Sequence, residues 1–415
     1  MTQPPNFSIS QSLSEVFREQ QRFADGYSPL YAALFGLIAD ALAGDASDPV
    51  ADWLVTAAAG RDPFDVTLLL PAALHRDVLA GEPAAAELAR YYLTAGTTAD
   101  GRPPTAASGM DYDLTAVGGR PSSVVLRSAI LPRRDALAAF IRQSHVQTNE
   151  TGRGLAWLLP VACIGWPAVH LVDLGASAGL NLVAEQRGYQ LVDADDPERV
   201  LLQLGDGPPQ FTTTARGPAS IPPLACCPTI LSRTGGDLHP FHLHTAEDEL
   251  TLAAFVWGDQ PARLERLREG IVALRRTEAT AVPVRLSPLR LPDELPRFLA
   301  EELPHPLDAP IVLFNTIVTM YLPDRGASLR GLVTNWAARQ RVPVLWLQWE
   351  PAPPGSPVPS SGASPPTAWS AWTADYWPND GRAGRRFHLA WVHPHGTALE
   401  WTTGWRAFLH ISTQN

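Results

Sequence analysis

HLVDLGASAGLNL, residues 170–182, decides the fold, because it reads as a strand, a glycine-flanked turn and the start of a helix. Two chemistries use this layout. In one of them Ser177 is a nucleophile at the tip of a G-x-S-x-G elbow. In the other, Asp173, Gly175 and Gly179 form the floor of a nucleotide pocket, where glycines let the backbone pass close to a ligand and the acid accepts its hydrogen bonds.

The first hundred residues contain repeated helix start and stop signals. A capping residue followed by proline marks each start, and a glycine marks each end. These predicted helices are Ser28-Pro29 to Gly44, Asp48-Pro49 to Gly60, Asp62-Pro63 to Gly81 and Glu82-Pro83 to Gly96. Their starts are unevenly spaced, which excludes a regular repeat array. The pattern predicts an all-α region over residues 1–125, with a loop rich in Gly, Pro, Ser and Thr at about 97–123.

Short apolar runs alternate with amphipathic helices in the rest of the chain. Seven runs predict strands: VHLVDL, CPTILSR, AVPVRLS, PIVLFNTIV, PVLWLQW, FHLAWVH and ALEWTT. This alternation predicts a parallel sheet with helices on both faces. A short PHG turn joins the last two runs, so we expect them to pair as an antiparallel hairpin. The run PAPPGSPVPSSGASPP predicts a loop.

This order of elements argues against the elbow. An α/β-hydrolase places several strands of its sheet before the nucleophile, whereas the residues upstream of Ser177 read as helices. Asp173 would also be costly to bury inside a central strand. At the tip of a first strand the same carboxylate faces the ligand crevice. The sequence therefore favours the nucleotide pocket and keeps the serine hydrolase as the weaker alternative.

The composition limits the partners. The formal charge is −10 and no long basic run is present, so no nucleic-acid partner is expected. The chain contains no lysine, which excludes Schiff-base and P-loop lysine chemistry. Three cysteines without metal or disulfide spacing, and an N-terminus without a signal-peptide pattern, predict a cytoplasmic location. The longest uncharged run, from Gly154, is split by Pro160 and His170, so it predicts a buried helix and strand rather than a membrane span.

Two motifs resemble those of class I S-adenosylmethionine-dependent methyltransferases. The order acid-x-G-x-S-x-G resembles their first motif, which commonly has Gly at the position of Ser177. TGGDLHPF, residues 234–241, resembles the end of their second strand. This resemblance implies that Asp237 accepts hydrogen bonds from the ribose hydroxyls of the cofactor. Asp193 or Asp195 is the alternative acid, nearer the usual spacing. With Asp237 as the acid, an insertion covers about 186–228.

The later strands fit the same resemblance. It implies that APIVLFNTIVTMYLP is the fourth strand, with Asn315, Thr316 and Tyr321 in the loosely patterned fourth motif beside the methyl donor. VPVLWLQWEP becomes the fifth strand, with Glu350 at its tip, and the terminal hairpin supplies the last two. The expected fold is a Rossmann-like α/β domain over residues 126–415, with a doubly wound sheet of about seven strands and a terminal antiparallel hairpin.

Most of the chain is similar to an uncharacterised bacterial family, the domain of unknown function 2332. The similarity runs through FREQQRF, SPLYAALF, VQTNETGRG, LVDLGASAGLNL, GGDLHP, VWGDQPARLERL and VHPHG. The family is grouped with Rossmann-like methyltransferase folds, which implies a fold and a cofactor but no substrate. In methyltransferases the region of QTNE, residues 147–150, often closes over the cofactor, and Glu150 is a suitable partner for its ammonium group.

We therefore expect S-adenosylmethionine-dependent methyl transfer to a small-molecule acceptor, with the helical region as a lid or acceptor-selecting domain. The residues expected to bind the cofactor are Gln147, Asn149, Glu150, Asp173, Gly175, Ser177, Gly179, Asn181, Asp237, Leu238, Asn315 and Thr316. Glu350, Tyr321 and His395 are the candidates for a general base. The histidines of HPFHLHTAED read as a loop and helix start, so no metal is expected. A nonenzymatic Rossmann-like protein that binds the nucleotide is the other alternative.

Overall fold

A computed structural model describes residues 9–44, 47–92, 120–205, 207, 209–217, 227–351 and 369–411. Residues 97–119 of the first predicted loop and 352–366 of the second lie outside these ranges. The chain divides into two compact units. Unit 1 contains residues 1–148 and 243–265, and unit 2 contains residues 149–242 and 266–415.

The described residues form thirteen α-helices. They are α1 (Ile9–Ala24), α2 (Pro29–Ala43), α3 (Pro49–Ala57), α4 (Pro63–Leu79), α5 (Ala86–Ala89), α6 (Ser123–Ile130), α7 (Arg134–Gln143), α8 (Leu155–Ile164), α9 (Ala246–Ala254), α10 (Pro261–Glu278), α11 (Leu295–Glu301), α12 (Ala327–Ala337) and α13 (Thr403–Leu409). No helix in these ranges combines the length and the apolar character that crossing a bilayer requires.

Unit 1 confirms three of the four predicted helix starts. Ser28, Asp48 and Asp62 each cap the following helix, because the side chain accepts a hydrogen bond from a backbone N–H of its first turn. The fourth predicted helix is shorter than expected, since Pro83 opens a 3-10 turn and α5 ends at Ala89. The apolar faces of these helices join in one hydrophobic cluster.

Unit 2 contains a mixed α/β fold built on one sheet. Its strands are β1 (Ala168–Leu174), β2 (Gly188–Asp193), β3 (Val200–Leu204), β4 (Pro209–Arg216), β5 (Thr229–Asp237), β6 (Val284–Pro288), β7 (Ile311–Thr316), β8 (Val344–Pro351), β9 (Ser370–Trp377), β10 (Arg385–Val392) and β11 (Ala398–Trp401). These eleven strands are hydrogen-bonded in the order β3-β2-β4-β11-β10-β9-β8-β7-β1-β5-β6, and most neighbouring pairs are parallel.

The prediction of about seven strands is wrong for the sheet as a whole. All seven predicted strands are present, as β1, β5, β6, β7, β8, β10 and β11, and the last two pair antiparallel as expected. The segment expected as an insertion supplies β2, β3 and β4, which extend the sheet beyond β11. The fourth missed strand, β9, pairs antiparallel with β8 and β10.

Five neighbouring strands, in the order β6-β5-β1-β7-β8, are parallel to one another. Along the chain β1 comes first, β5 and β6 follow on one side of it, and β7 and β8 follow on the other side. The carboxyl ends of β1 and β7 therefore border a topological switch point. Open α/β sheets bind ligands in the crevice at this position.

The helix α8 is the centre of the main core of unit 2. Every residue from Leu155 to Ile164 is buried, which confirms the predicted buried helix before β1. The cluster that contains it includes side chains from several strands of the sheet, namely Tyr189 of β2, Phe211 of β4, Phe314 of β7 and Trp372 of β9.

The helix predicted directly after β1 is a 3-10 segment, Leu180–Gln186. Side chains occupy two carbonyl oxygens that an α-helix would pair within itself. The indole of Trp157 donates to the carbonyl of Asn181 at 2.7 Å, and the guanidinium of Arg233 donates to that of Leu182 at 2.6 Å. These contacts replace regular helical hydrogen bonds, so the segment does not continue as an α-helix.

Candidate functional site

Asp173, the acid of the strand-one motif, lies near the carboxyl end of β1 between β5 and β7. Its Cα atom is in register with Gly235 of β5 and Phe314 of β7. The residue is 2% exposed, and no described residue donates a hydrogen bond to its carboxylate. Burial, and after it the charge of Asp237, raise the pKa of Asp173 well above its ordinary value. A buried carboxylate without a donor is costly unless a further group pairs with it.

Asp237 ends the neighbouring strand, β5. It lies two residues beyond Gly235, so its side chain is on the same face of the sheet as that of Asp173. Its carboxylate accepts hydrogen bonds from the backbone N–H groups of Ser177 and His239, each at 2.8 Å. These bonds tie the turn after β1 to the end of β5. A carboxylate has about four acceptor positions, so Asp237 retains acceptor capacity.

The alternative acids lie elsewhere in the sheet. Asp193 is the last residue of β2, and Asp195 donates its backbone N–H to the Asp193 carboxylate at 2.9 Å. β2 pairs with β3 and β4, whereas β5 is the strand that pairs with β1. Of these three acids, Asp237 is therefore the one that follows a neighbour of the first strand.

The turn after β1 has a left-handed backbone at all three positions of the motif. The φ angles are +97° at Gly175, +50° at Ser177 and +75° at Gly179. A Cβ atom on Gly175 would lie 2.3 Å from Val318 Cγ2, and one on Gly179 would lie 2.9 Å from Val284 Cγ1. Both positions thus require glycine, while Ser177 carries a backbone strain of about 1–2 kcal/mol.

The loop after β7 contains a second strained residue, Ile317, which the sequence analysis missed. Its φ is +57°, an unusual value for a β-branched residue. Its backbone N–H donates to the carbonyl of Trp349 at 2.9 Å. Strained non-glycine residues therefore occupy the loops after β1 and β7, the two strands that border the switch point. Backbone strain of this kind concentrates at functional sites. No local sequence pattern predicts the left-handed backbone of Ile317.

Glu350 and Asn315 hold the loop after β7 in place. The buried Glu350 carboxylate accepts hydrogen bonds from Asn315 Nδ2 at 2.6 Å, from the Val318 backbone at 2.9 Å and from Thr319 Oγ1 at 2.8 Å. Burial raises the pKa of Glu350, and these donors oppose that shift. Asn315 Oδ1 also accepts from Trp346 Nε1 at 2.7 Å. Both predicted site residues are thus engaged in structural contacts.

Two adjacent residues of the QTNE segment connect two distant turns. Asn149 donates to Ser177 Oγ at 3.0 Å. The buried Glu150 carboxylate lies 3.0 Å from Nδ1 of His395, in the turn between β10 and β11, and 3.7 Å from the guanidinium of Arg266. The contact assigns the Nδ1 proton to His395 and fixes the orientation of the ring. Glu150 and His395 were predicted separately, and the structure brings them together.

The other predicted residues have varied surroundings. Gln147 belongs to unit 1 and is buried. Leu238 and Tyr321, on the loops after β5 and β7, are 49% and 56% exposed. Thr316 ends β7 and is half-buried, and the buried side-chain oxygen of Asn181 has no hydrogen-bond partner among the described residues.

In the described part of the chain, no three His, Cys, Asp or Glu side chains lie close enough together to hold a metal ion.

Comparison with known proteins identifies a family whose description names no activity. No curated protein and no solved structure matches the chain. The family described as an uncharacterized protein conserved in bacteria, DUF2332, matches residues 14–401. This range includes the turn after β1, the QTNE segment and the turn that carries His395. The chain therefore belongs to the DUF2332 family.

Proposed function

We propose that unit 2 binds S-adenosylmethionine at the carboxyl ends of β1 and β5, and that the protein transfers the methyl group to a small-molecule acceptor. The observation that carries this proposal is the buried Asp173 carboxylate, to which no described residue donates a hydrogen bond. It lies beside the switch point of a Rossmann-like set of parallel strands. A ligand with an ammonium or hydroxyl donor would supply the missing partner.

The chemistry of the two acids fits this cofactor. Its ammonium group and its ribose hydroxyls donate hydrogen bonds, and ionised carboxylates only accept them. Asp173 and Asp237 lie on one face of the sheet, and Asp237 retains acceptor capacity beyond its two backbone contacts. Leu238 follows directly and exposes an apolar surface on which a base can pack. The bound cofactor would supply a methyl group activated by the sulfonium.

His395 is the general-base candidate that the geometry favours. Glu150 accepts a hydrogen bond from its Nδ1 and orients the ring, and a neutral imidazole is a suitable group to take a proton from the acceptor. Glu350, by contrast, is already surrounded by donors from the loop after β7. Methyl transfer depends mainly on alignment and on the exclusion of water, so a single oriented base is sufficient.

Isothermal titration of the full chain with S-adenosylmethionine and S-adenosylhomocysteine tests the proposal. Asp173→Asn preserves the size of the side chain and removes its charge. We expect it to weaken binding about tenfold or more, because a hydrogen bond to a charged group contributes about 1.5–3 kcal/mol. Asp196→Asn is the matched control, since Asp196 is an exposed residue between β2 and β3, far from β1 and β5 in the sheet order. Absence of binding to either ligand overturns the proposal.

Two other outcomes distinguish the alternatives. Binding without turnover of a broad acceptor panel would favour a nonenzymatic nucleotide-binding protein. The strained backbone of Ser177 is also typical of a nucleophile elbow, so labelling by a serine-reactive fluorophosphonate that disappears in Ser177→Ala would favour a hydrolase. We expect no labelling, because β1 is the first strand of the chain to enter the sheet, whereas an α/β-hydrolase places several strands before its nucleophile.

A further inference from the structure

A cleft of about 110 Å³ lies at the carboxyl end of β8. Its walls come from the loop after β7, from α12 and from strands β8, β9 and β10, all in unit 2. Three arginines line it: Arg325 before α12, Arg330 within α12 and Arg386 in β10. None of the three was predicted, because they are distributed over 62 positions of the sequence without a local pattern.

A buried acid beneath the cleft positions two of the arginines. Asp375 lies 3.2 Å from Nη1 of Arg330 and 3.9 Å from Nε of Arg386. Gln348 donates to Asp375 at 2.9 Å and accepts from Arg330 Nη2 at 3.3 Å. The Arg330 guanidinium also lies over the Trp346 ring, 5.4 Å from its centroid. These contacts orient both guanidinium groups, which are still 39% and 47% exposed at the side chain.

Arg325 differs from the other two. It is exposed, and no described residue accepts a hydrogen bond from its guanidinium or forms an ion pair with it. Its backbone is left-handed, with φ of +54°, in the turn that leads into α12. The protein therefore maintains a strained turn that brings an unpaired positive charge to the wall of a cleft.

The cleft has an excess of positive charge. Among the residues that the structure describes, Glu350 is the acidic one in the wall and Asp375 lies beneath it, so three guanidinium groups face two carboxylates there. Burial raises the pKa of Asp375 to about 6 although Arg330 opposes the shift. The Glu350 carboxylate is turned to the donors of the loop after β7. In a chain of formal charge −10, this local excess selects for an anionic ligand.

We propose that this cleft binds the anionic group, a carboxylate or a phosphate, of the small molecule that the protein methylates. The planar guanidinium presents paired N–H donors that match both groups. A single water needs only about 10–15 Å³ of space measured in this way, so the cleft has room for a carboxylate or a phosphate group. That the ligand is the methyl acceptor rests on the proposed function.

The position of the cleft separates it from the acids assigned to the cofactor. β8 lies two strands from β1 in the sheet order, a distance of roughly 10 Å at the usual strand spacing. Asp173 and Asp237 belong to β1 and β5, on the other side of β7. An acceptor anchored by its anion at β8 would extend its body toward β7, past Met320 in the cleft wall.

Anion binding to the full chain tests the cleft directly. Inorganic phosphate is titrated in a chloride-free buffer and followed by broadening of its ³¹P resonance, and acetate is titrated separately and followed by saturation-transfer NMR. We expect at least one anion to bind, and the preferred anion identifies the head group. Arg325→Gln and Arg386→Gln should each weaken binding about tenfold, the effect of losing one charge-assisted hydrogen bond. Arg339→Gln is the matched control, because this exposed arginine follows the far end of α12.

The outcomes separate this inference from the proposed function. Absence of binding to both anions, or equal weakening by Arg339→Gln, overturns the cleft. Saturating S-adenosylhomocysteine should leave anion binding unchanged; displacement would make the cleft part of the cofactor site and overturn its assignment to the acceptor. Anion binding in a protein that binds neither S-adenosylmethionine nor S-adenosylhomocysteine would retain the anion site and reject the methyltransferase.

Discussion

Asp173 is a carboxylate whose position is unfavourable for folding. Its pKa is raised, chiefly by burial and secondly by Asp237, which means that the folded protein favours the neutral acid over the carboxylate. Natural proteins retain such groups where activity requires them, at the expense of stability. The same residue should therefore have opposite effects on ligand binding and on the free energy of unfolding.

Asp173→Asn should stabilise the folded protein at neutral and alkaline pH. A raised folded-state pKa makes a contribution to stability that is complete below the ordinary value near 4 and is lost as the pH rises through the folded-state value. Asparagine has no charged form, so its advantage should grow with pH, by about 1.4 kcal/mol for each unit by which the pKa is raised. Urea unfolding at pH 4, 6 and 8 measures this.

Asp196→Asn provides the comparison for that experiment. Asp196 is exposed, and no described residue pairs with its carboxylate, so its substitution should change the free energy of unfolding little at any of the three pH values. A difference between Asp173→Asn and the natural protein that is constant with pH would contradict the assignment of a raised pKa to Asp173.

Single residues were predictable where they belong to one local pattern. Asp173, Gly175, Ser177 and Gly179 occupy one strand end and one turn, and parallel strands bring the end of β5 beside them. Ile317 was not predictable, because nothing in its neighbours signals a left-handed backbone. The arginines of the β8 cleft were missed for a different reason, since they converge from separate elements.

The segment from Asn149 to Gly154 is the element that joins the parts of the site. It connects the turn after β1 with the turn between β10 and β11, although β10 is four strands away from β1 in the sheet order. Gly152 brings its backbone against the ring of Phe211 in β4, and Arg266 covers that ring at 5.1 Å from its centroid. The position of Glu150 and Asn149 therefore depends on close packing at Gly152.

Gly152→Ala should destabilise the protein by about 1–3 kcal/mol through overpacking. The added Cβ atom would lie 2.4 Å from Phe211 Cζ, so the segment or the ring must move. Phe211→Leu should relieve part of this effect in the double variant. Gly331→Ala is a control with the opposite sign, because its Cβ atom would meet open space within α12 and should stabilise the helix by about 0.5–1 kcal/mol. Urea unfolding of the four variants tests this, and equal effects of the two alanine substitutions would refute the packing argument.

Helices and strands were predictable where neighbouring residues in the sequence determine them. Proline after a capping residue located α2, α3 and α4, because the cap and the proline act on the first helical turn alone. β3 and β9 were missed although each contains apolar residues, because their place in the sheet depends on pairing with strands that are not adjacent in a local pattern. The prediction of a helix after β1 was wrong because the side chains of two residues distant in sequence donate hydrogen bonds to carbonyl oxygens of this segment. Such tertiary contacts leave no local sequence signal.

At the scale of the whole molecule, unit 1 is formed by two segments that are far apart in the sequence. Unit 1 requires residues 243–265 as well as 1–148. Trp257 stacks on Tyr31 with ring centroids 4.6 Å apart and an interplanar angle of 6°, and Asp259 accepts a hydrogen bond from Ser28 at 2.6 Å. These contacts join residues more than two hundred positions apart, so periodicity and punctuation along the chain could not predict them.

We expect that residues 1–148 alone do not fold cooperatively, whereas the same fragment joined to residues 243–265 by a flexible Gly/Ser linker does. The returning segment supplies the half-buried stacking partner of the buried Tyr31, and removal of a large aromatic residue destabilises a core by up to about 3–5 kcal/mol. Thermal unfolding followed by circular dichroism compares the two fragments. Trp257→Ala in the linked fragment is the control and should abolish the sharp transition. A cooperative transition in residues 1–148 alone would show that this part of the helical unit folds without the returning segment and would contradict the prediction.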